Sequence, residues 1–118
     1  MSQPEALAIS LDGRWVAVAS NNGSSRRSDS PLYNANGSLV LFSIQGTNLV
    51  KKAEYPIGRW VQGIAFSPDS SVLAVQNTLE GELQLFKVGT DGLADSGIKI
   101  PIGLSAGGLR TRDFPKPN

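Results

Sequence analysis

The sequence predicts an all-β chain built from two copies of one four-stranded antiparallel unit, and three observations carry that prediction. The first is an internal repeat within 118 residues. PEALAISLDGRWVAVAS (4–20) returns as VQGIAFSPDSSVLAVQN (61–77) at an offset of 57, with Ala8, Ser10, Asp12, Ala17 and Val18 over Ala65, Ser67, Asp69, Ala74 and Val75. GSLVLFSI (37–44) lies over GELQLFKV (81–88) at an offset of 44, and Pro56-Ile57-Gly58 over Pro101-Ile102-Gly103 at 45. The second is patterning: apolar residues alternate or run continuously in short windows bounded by turn residues. The third is the lack of any window holding an i, i+3, i+4 pattern for three turns, alongside 13 glycines. A period near 45 with strands throughout belongs to propeller blades. A sandwich of short strands is the alternative.

Each unit divides into four strands. The first is LAIS (7–10) or IAFS (64–67), and LDGR or PDSS then makes a turn in which Asp with Gly or Ser supports the backbone. The second strand is WVAVAS (15–20) or VLAVQN (72–77), and the third is LVLFSI (39–44) or LQLFKV (83–88). The fourth, LVKKAEYPI (49–57) or ADSGIKIPI (94–102), is more polar, as suits an outer edge kept soluble by charge. Continuous apolar runs in inner strands indicate cover on both faces, the situation of stacked blades. Ala6, Ala8, Ala17, Gly63, Ala65 and Ala74 are small enough for the crowded centre of such a ring. The expected division is therefore a blade at 4–58, a blade at 59–103, and a tail at 104–118. The first blade carries a long loop, 21–36, where the second has only Thr78-Leu79-Glu80. Continuing the repeat sets Gly63-Ile64-Ala65-Phe66 over Gly108-Leu109-Arg110-Thr111, a possible ring-closing strand at the C-terminus. Two blades cannot close a ring, so a partial propeller is expected. Its partners would be the remaining blades of a longer propeller or other copies of the chain.

Composition narrows the function. Eleven Lys plus Arg balance ten Asp plus Glu, which leaves no basic field for nucleic acid. Apolar runs are too short for a membrane-spanning helix, and MSQPEALAIS lacks the basic and apolar regions of a secretory signal. Cysteine and histidine are both absent, which excludes disulfides, thiolate nucleophiles and His-based triads. No metal and no cofactor is expected. Asp91 and Asp95 supply too few oxygens for a calcium loop. Asn22-Gly23-Ser24 and Asn36-Gly37-Ser38 match a glycosylation triplet that chance also produces.

The strings ALAISLDGRWVAVAS…GSLVLFSI and IAFSPDSSVLAVQN…GELQLFKV…PIG resemble the lactonase-like, YVTN-type β-propeller repeats over residues 4–103. The chain departs from that pattern at Leu11, where Pro68 stands in the second unit, and at Ser70, where Gly13 stands in the first. The resemblance implies blades from a seven-bladed ring, a periplasmic or extracellular setting, and either a binding scaffold or a sugar-lactone hydrolase such as a phosphogluconolactonase. An oligomeric, lectin-like propeller assembled from two-bladed chains is a third possibility. Fold alone does not separate these.

Connections from fourth to first strands and from second to third strands gather at one end of a propeller. That places GRWVQG (58–63) beside the long loop 21–36. The ligand-binding candidates are Arg59, Trp60, Gln62, Asn22, Arg26 and Asn77, with Asn21, Arg27 and Tyr33 nearby. Guanidinium groups hold carboxylate or phosphate and indole offers a flat apolar platform, so the expected ligand is small and anionic or sugar-like. Each has a plainer role as well: Trp60 and Trp15 in blade packing, and Arg26 and Arg27 as solvated loop residues. Asp12 and Asp69 belong to turns at the opposite end, Arg110 and Arg112 to the tail. No catalytic residue is assigned, and the favoured reading is a catalytically incomplete scaffold.

Overall fold

A computed structural model describes residues 2–103 and 107–111. The described residues form eight strands: β1 (Pro4–Ile9), β2 (Trp15–Ser20), β3 (Gly37–Gln45), β4 (Asn48–Ile57), β5 (Val61–Phe66), β6 (Val72–Asn77), β7 (Glu82–Gly89) and β8 (Gly92–Pro101). They make two four-stranded antiparallel sheets, ordered β1-β2-β3-β4 and β5-β6-β7-β8. No helix among the described residues is long and apolar enough to cross a membrane. Each sheet is a propeller blade, a meander in which every strand pairs with the one before it.

The repeat read from the sequence extends to the irregularities of the ladders. Both first strands carry a register shift at the same place, Pro4/Ala6 and Val61/Gly63, and both third strands carry one at Leu41/Phe42 and Leu85/Phe86. A bulge bends its strand and increases twist, so matched bulges give the two sheets the same curvature and let them nest. The turns match too. Ser10 Oγ donates to Asp12 (2.6 Å) and accepts the Trp15 amide (3.0 Å), while Ser67 Oγ donates to Asp69 (2.7 Å) and accepts the Val72 amide (3.0 Å). Ser10 and Ser67 lie just beyond the strands, where their hydroxyls close the turn and their amides donate to the Trp15 and Val72 carbonyls at 3.0 and 2.8 Å.

The sheets stack with β1 over β5 and β4 over β8. From the first sheet, Ala6, Ala8, Trp15, Ala17, Ala19, Leu39, Leu41, Ala53 and Tyr55 face Ile64, Phe66, Leu73, Val75, Phe86, Val88 and Leu93 of the second. Alanines on β1 and β2 let the sheets approach closely where the inner strands meet, and larger residues fill the wider outer part. There Tyr55 lies 5.8 Å from Phe86, ring to ring, and its hydroxyl donates to the Leu93 carbonyl at 2.9 Å. Cover on both faces holds for β2 and most of β3. It does not hold for β1, where Leu7 and Ile9 are 63% and 59% exposed, because no third sheet lies on that side.

The tail repeats the pattern in place but not in pairing. Residues 107–111 carry no strand, and the rest of the tail expected to hold a ring-closing strand lies outside the described residues. Residues 107–111 nevertheless lie along β5: the Thr111 hydroxyl donates to the Phe66 carbonyl, 45 residues back. A Cβ added to Gly63 would sit 2.4 Å from the Leu109 nitrogen, so only glycine fits beneath this segment. Arg112 lies outside the described residues.

Candidate functional site

At one end of the stacked sheets the β4–β5 link, the β6–β7 turn and the long β2–β3 loop converge, and Arg59 and Trp60 stand where they meet. The loop is built from consecutive turns, with Ser24 N bonded to Asn21 O, Arg26 N to Gly23 O, Ser30 N to Arg27 O and Tyr33 N to Ser30 O. Ser24, Asn and Gly are the residues that satisfy such turns locally, so a polar segment of this composition folds onto the sheet end without a core of its own.

Trp60 is the strained residue of this junction. Its φ is 53°, in a region that bulky side chains rarely enter. Two parts of the chain hold it there: its amide donates to Ser24 Oγ of the long loop (3.0 Å), and its carbonyl accepts from the Thr78 amide of the β6–β7 turn (3.3 Å). The result turns the indole outward, 39% exposed, whereas Trp15 is buried in the interface between sheets. Strain of this kind persists where surrounding structure over-determines it, and such places cluster at binding sites.

Arg59 is clamped beside it. Its amide and its Nε both donate to Glu80, at 2.8 and 2.7 Å. Glu80, with a smaller contribution from Tyr33, raises the guanidinium further above its already high range. The side chains remain partly exposed, 43% for Arg59 and 27% for Glu80. Beneath them, the Gly58 amide donates to Asn77 Oδ1 (3.0 Å), and a Cβ on Gly58 would come within 2.5 Å of that side chain. Asn77 then donates to Glu82 and Gln84 (3.3 and 3.1 Å), and Gln84 to Asp95 (3.0 Å). This polar line stitches the second sheet from β6 to β8 and supports the Arg59 loop from below.

Of the six candidates, Arg59 and Trp60 share the junction. Asn77 is 1% exposed, its side chain engaged inside the sheet, so it positions the loop and does not face solvent. Gln62 is set toward the tail, its Oε1 3.3 Å from where a Gly107 Cβ would stand. Asn22 and Arg26 lie farther along the loop. Asn22 Oδ1 accepts the Ser2 amide (2.7 Å), and Arg26 borders a hollow of about 260 Å³ with Ser2, Gln3, Gly23 and Leu32. A wider, open hollow of about 550 Å³ lies at the other end, against Ser67, Pro68, Asp69, Ser71 and Val72. Asp69 there is already bonded to Ser67 and Ser71, so its carboxylate serves the turn.

Glu80 and Ser24 are the members of the junction that the sequence did not single out. A Glu in a three-residue turn and a Ser in a Ser-rich loop carry no signal of their own. The β5–β6 ladder brings Glu80 to Arg59, and the stacking of the sheets brings Ser24 to Trp60. Among the described residues no group of His, Cys, Asp or Glu is placed to hold a metal ion.

No family model and no curated protein matches the sequence. Solved structures do. A "putative 6-phosphogluconolactonase" from Bacteroides fragilis aligns over 85% of this chain with a TM-score of 0.68 and 17% identity. A second, from Bacteroides uniformis, aligns over 86% with a TM-score of 0.67 and 17% identity. A functionally unknown protein from Desulfotomaculum acetoxidans aligns over 86%, with a TM-score of 0.59 and 18% identity. The chain spans 26%, 27% and 28% of those three structures, in the same order. At this identity the likeness is one of fold: the chain shares the architecture of about a quarter of each of those structures.

Proposed function

We propose that this chain is a ligand-binding segment of a β-propeller scaffold, catalytically incomplete by itself, whose binding surface is the Arg59–Trp60 junction. The observation that carries the proposal is the strained, outward-turned indole of Trp60, fixed by bonds from two loops and flanked by a clamped guanidinium. An aromatic face beside hydrogen-bonding groups suits the apolar face and hydroxyls of a sugar-like ring. Because Glu80 neutralises Arg59, the junction favours a polyhydroxylated ligand over a strongly anionic one. Catalytic incompleteness follows from the groups at hand: histidine is absent from the sequence, and the carboxylate at the junction, Glu80, is held by Arg59.

The second reading, part of a sugar-lactone hydrolase, draws on the two neighbours named as 6-phosphogluconolactonases. It would need groups from further blades to activate water, with Arg59 polarising the lactone carbonyl.

The two readings separate in one set of measurements. Trp60 is exposed and Trp15 buried, so glucose added to the chain should quench the Trp60 component of fluorescence, and at lower concentration than the anionic 6-phosphogluconate does. Arg59→Ala should weaken that binding about ten-fold or more, the usual scale for a charge-assisted bond. Glucono-δ-lactone should hydrolyse no faster with the chain than in buffer. Catalysed hydrolysis sensitive to Arg59→Ala supports the hydrolase instead, and absence of any binding removes the junction as a ligand site.

A further inference from the structure

Each sheet has an outer face on which no other sheet stacks among the described residues, and the two outer faces are copies of the two halves of the interface already buried between the sheets. The outer face of the second sheet is lined across its strands by Ala65, Ala74, Leu85 and Ile98 in one row, and by Leu83 and Ile100 in the next. Their equivalents in the first sheet are Ala8, Ala17, Leu41 and Ala53, then Leu39 and Tyr55, and those are the residues that receive the second sheet. The outer rows of the first sheet hold Leu7, Val18, Val40 and Glu54, then Ile9, Val16, Phe42 and Lys51; Val16 and Val40 are buried at 6% and 2% exposure, and Leu7 and Ile9 stand open. Of their equivalents, Ile64, Val75, Phe66, Leu73 and Phe86 press into the first sheet, while Gln84 is bonded within its own sheet to Asn77 and Asp95.

We infer that a second copy of this chain docks head to tail, setting the outer face of its first sheet on the outer face of the second sheet and repeating the internal stacking. The occupant follows from continuity with the interface inside the chain. Tyr55 rests on Phe86 and bonds the Leu93 carbonyl. In the repeated contact Ile100 rests on Phe42 and on Leu49, the equivalent of Leu93, of the incoming copy. Leu7, Ile9, Leu49, Ile98 and Ile100 are 63%, 59%, 56%, 52% and 43% exposed, far above what equivalent positions show inside. Apolar area of this extent marks an interaction surface. The contact joins unlike faces, so it is heterologous and adds chains in one direction. Residues 107–111 lie along β5 without ladder pairing, and Leu109–Thr111 share a hollow with Leu7 and Ile9, so docking on that face requires them to move aside. This inference does not depend on the ligand junction, which lies at the ends of the sheets and not on their faces.

Sedimentation velocity across a concentration series tests it with two exposed-face variants, Leu7→Lys with Ile9→Lys and Ile98→Lys with Ile100→Lys. Circular dichroism verifies that both remain folded. The wild-type chain should sediment faster as concentration rises, and each variant alone should lose that dependence because one of its two faces is blocked. Mixed in equal amounts, the variants should form a species that stops at two chains, since each keeps the face the other lacks. A wild-type monomer at every concentration overturns the inference. So does a variant that still associates alone, the mark of like-to-like pairing, or a mixture that stays monomeric.

Discussion

Ser70 shows how much one atom group matters in a repeated turn. It holds φ at 63°, and Gly13, its equivalent in the first sheet, holds φ at 72°. Left-handed backbone costs a residue with a Cβ about 1–2 kcal/mol that glycine is spared. The Ser70 hydroxyl adds nothing in return, being buried without a hydrogen-bond partner. Glycine loses more freedom on folding, which offsets part of the gain. Ser70→Gly is therefore expected to stabilise the chain by about 0.5–1 kcal/mol, raising the thermal midpoint by a few degrees in a domain of this size. A midpoint that falls would mean the Ser side chain supports the turn in some way its geometry does not display. Trp60 carries the same kind of strain but must keep it, since relaxing φ would withdraw the indole from solvent and break the bonds from Ser24 and Thr78.

At the scale of elements, the tight turns after β1 and β5 are miniature acid-sensitive clasps. The Ser10 hydroxyl, then the Arg14 amide and guanidinium, hold Asp12 ionised and lower its pKa to about 2. The Ser71 and Ser67 hydroxyls and the Ser71 amide do the same for Asp69, also to about 2. Both folded-state values lie below the ordinary 3.8 of the unfolded chain. Their contribution is thus fully present above pH 4 and is lost as pH falls toward 2. Both groups are solvent-exposed, so the effect is modest. Thermal midpoints measured from pH 5 to pH 2 should fall more steeply in wild type than in a chain carrying Asp12→Asn and Asp69→Asn. Parallel curves would show that the carboxylates contribute nothing specific. These turns were legible in advance because Ser-x-Asp recurs in both units, and β2 and β6 match their expected bounds for the same reason: dense β-branched and alanine runs between turn residues. The first strands begin three residues earlier than their apolar pattern, at Pro4 and Val61. What extends them is pairing past a bulge with β2 and β6, a tertiary effect with no local signature. The Arg59–Glu80 pair was hidden for a similar reason, since its partners come from connections 21 residues apart that only ladder geometry aligns.

For the whole molecule, the question is whether two blades make two folding units or one. Each sheet alone is a meander with a single apolar layer, and such a layer keeps water off only when another covers it. The buried residues of the second sheet belong to one cluster with those of the first, and Phe86, 0% exposed, lies 5.8 Å from Tyr55, ring to ring. The polar line from Gly58 through Asn77 to Asp95 and the Tyr55–Leu93 bond tie the same halves at the loop end and the outer edge. Removing the Phe86 ring should cost about 3–5 kcal/mol, a large share of the stability a domain this small possesses. If the core is shared, that loss is felt equally on both sides of it. Native-state amide exchange, run at low protein concentration so that chains do not associate, discriminates the cases. In Phe86→Ala, the most protected amides of β2 and β3 should exchange faster by the same factor as those of β6 and β7. Acceleration confined to β5–β8 would mean that the first sheet folds on its own, and the pair would then be two neighbours in contact instead of one cooperative body.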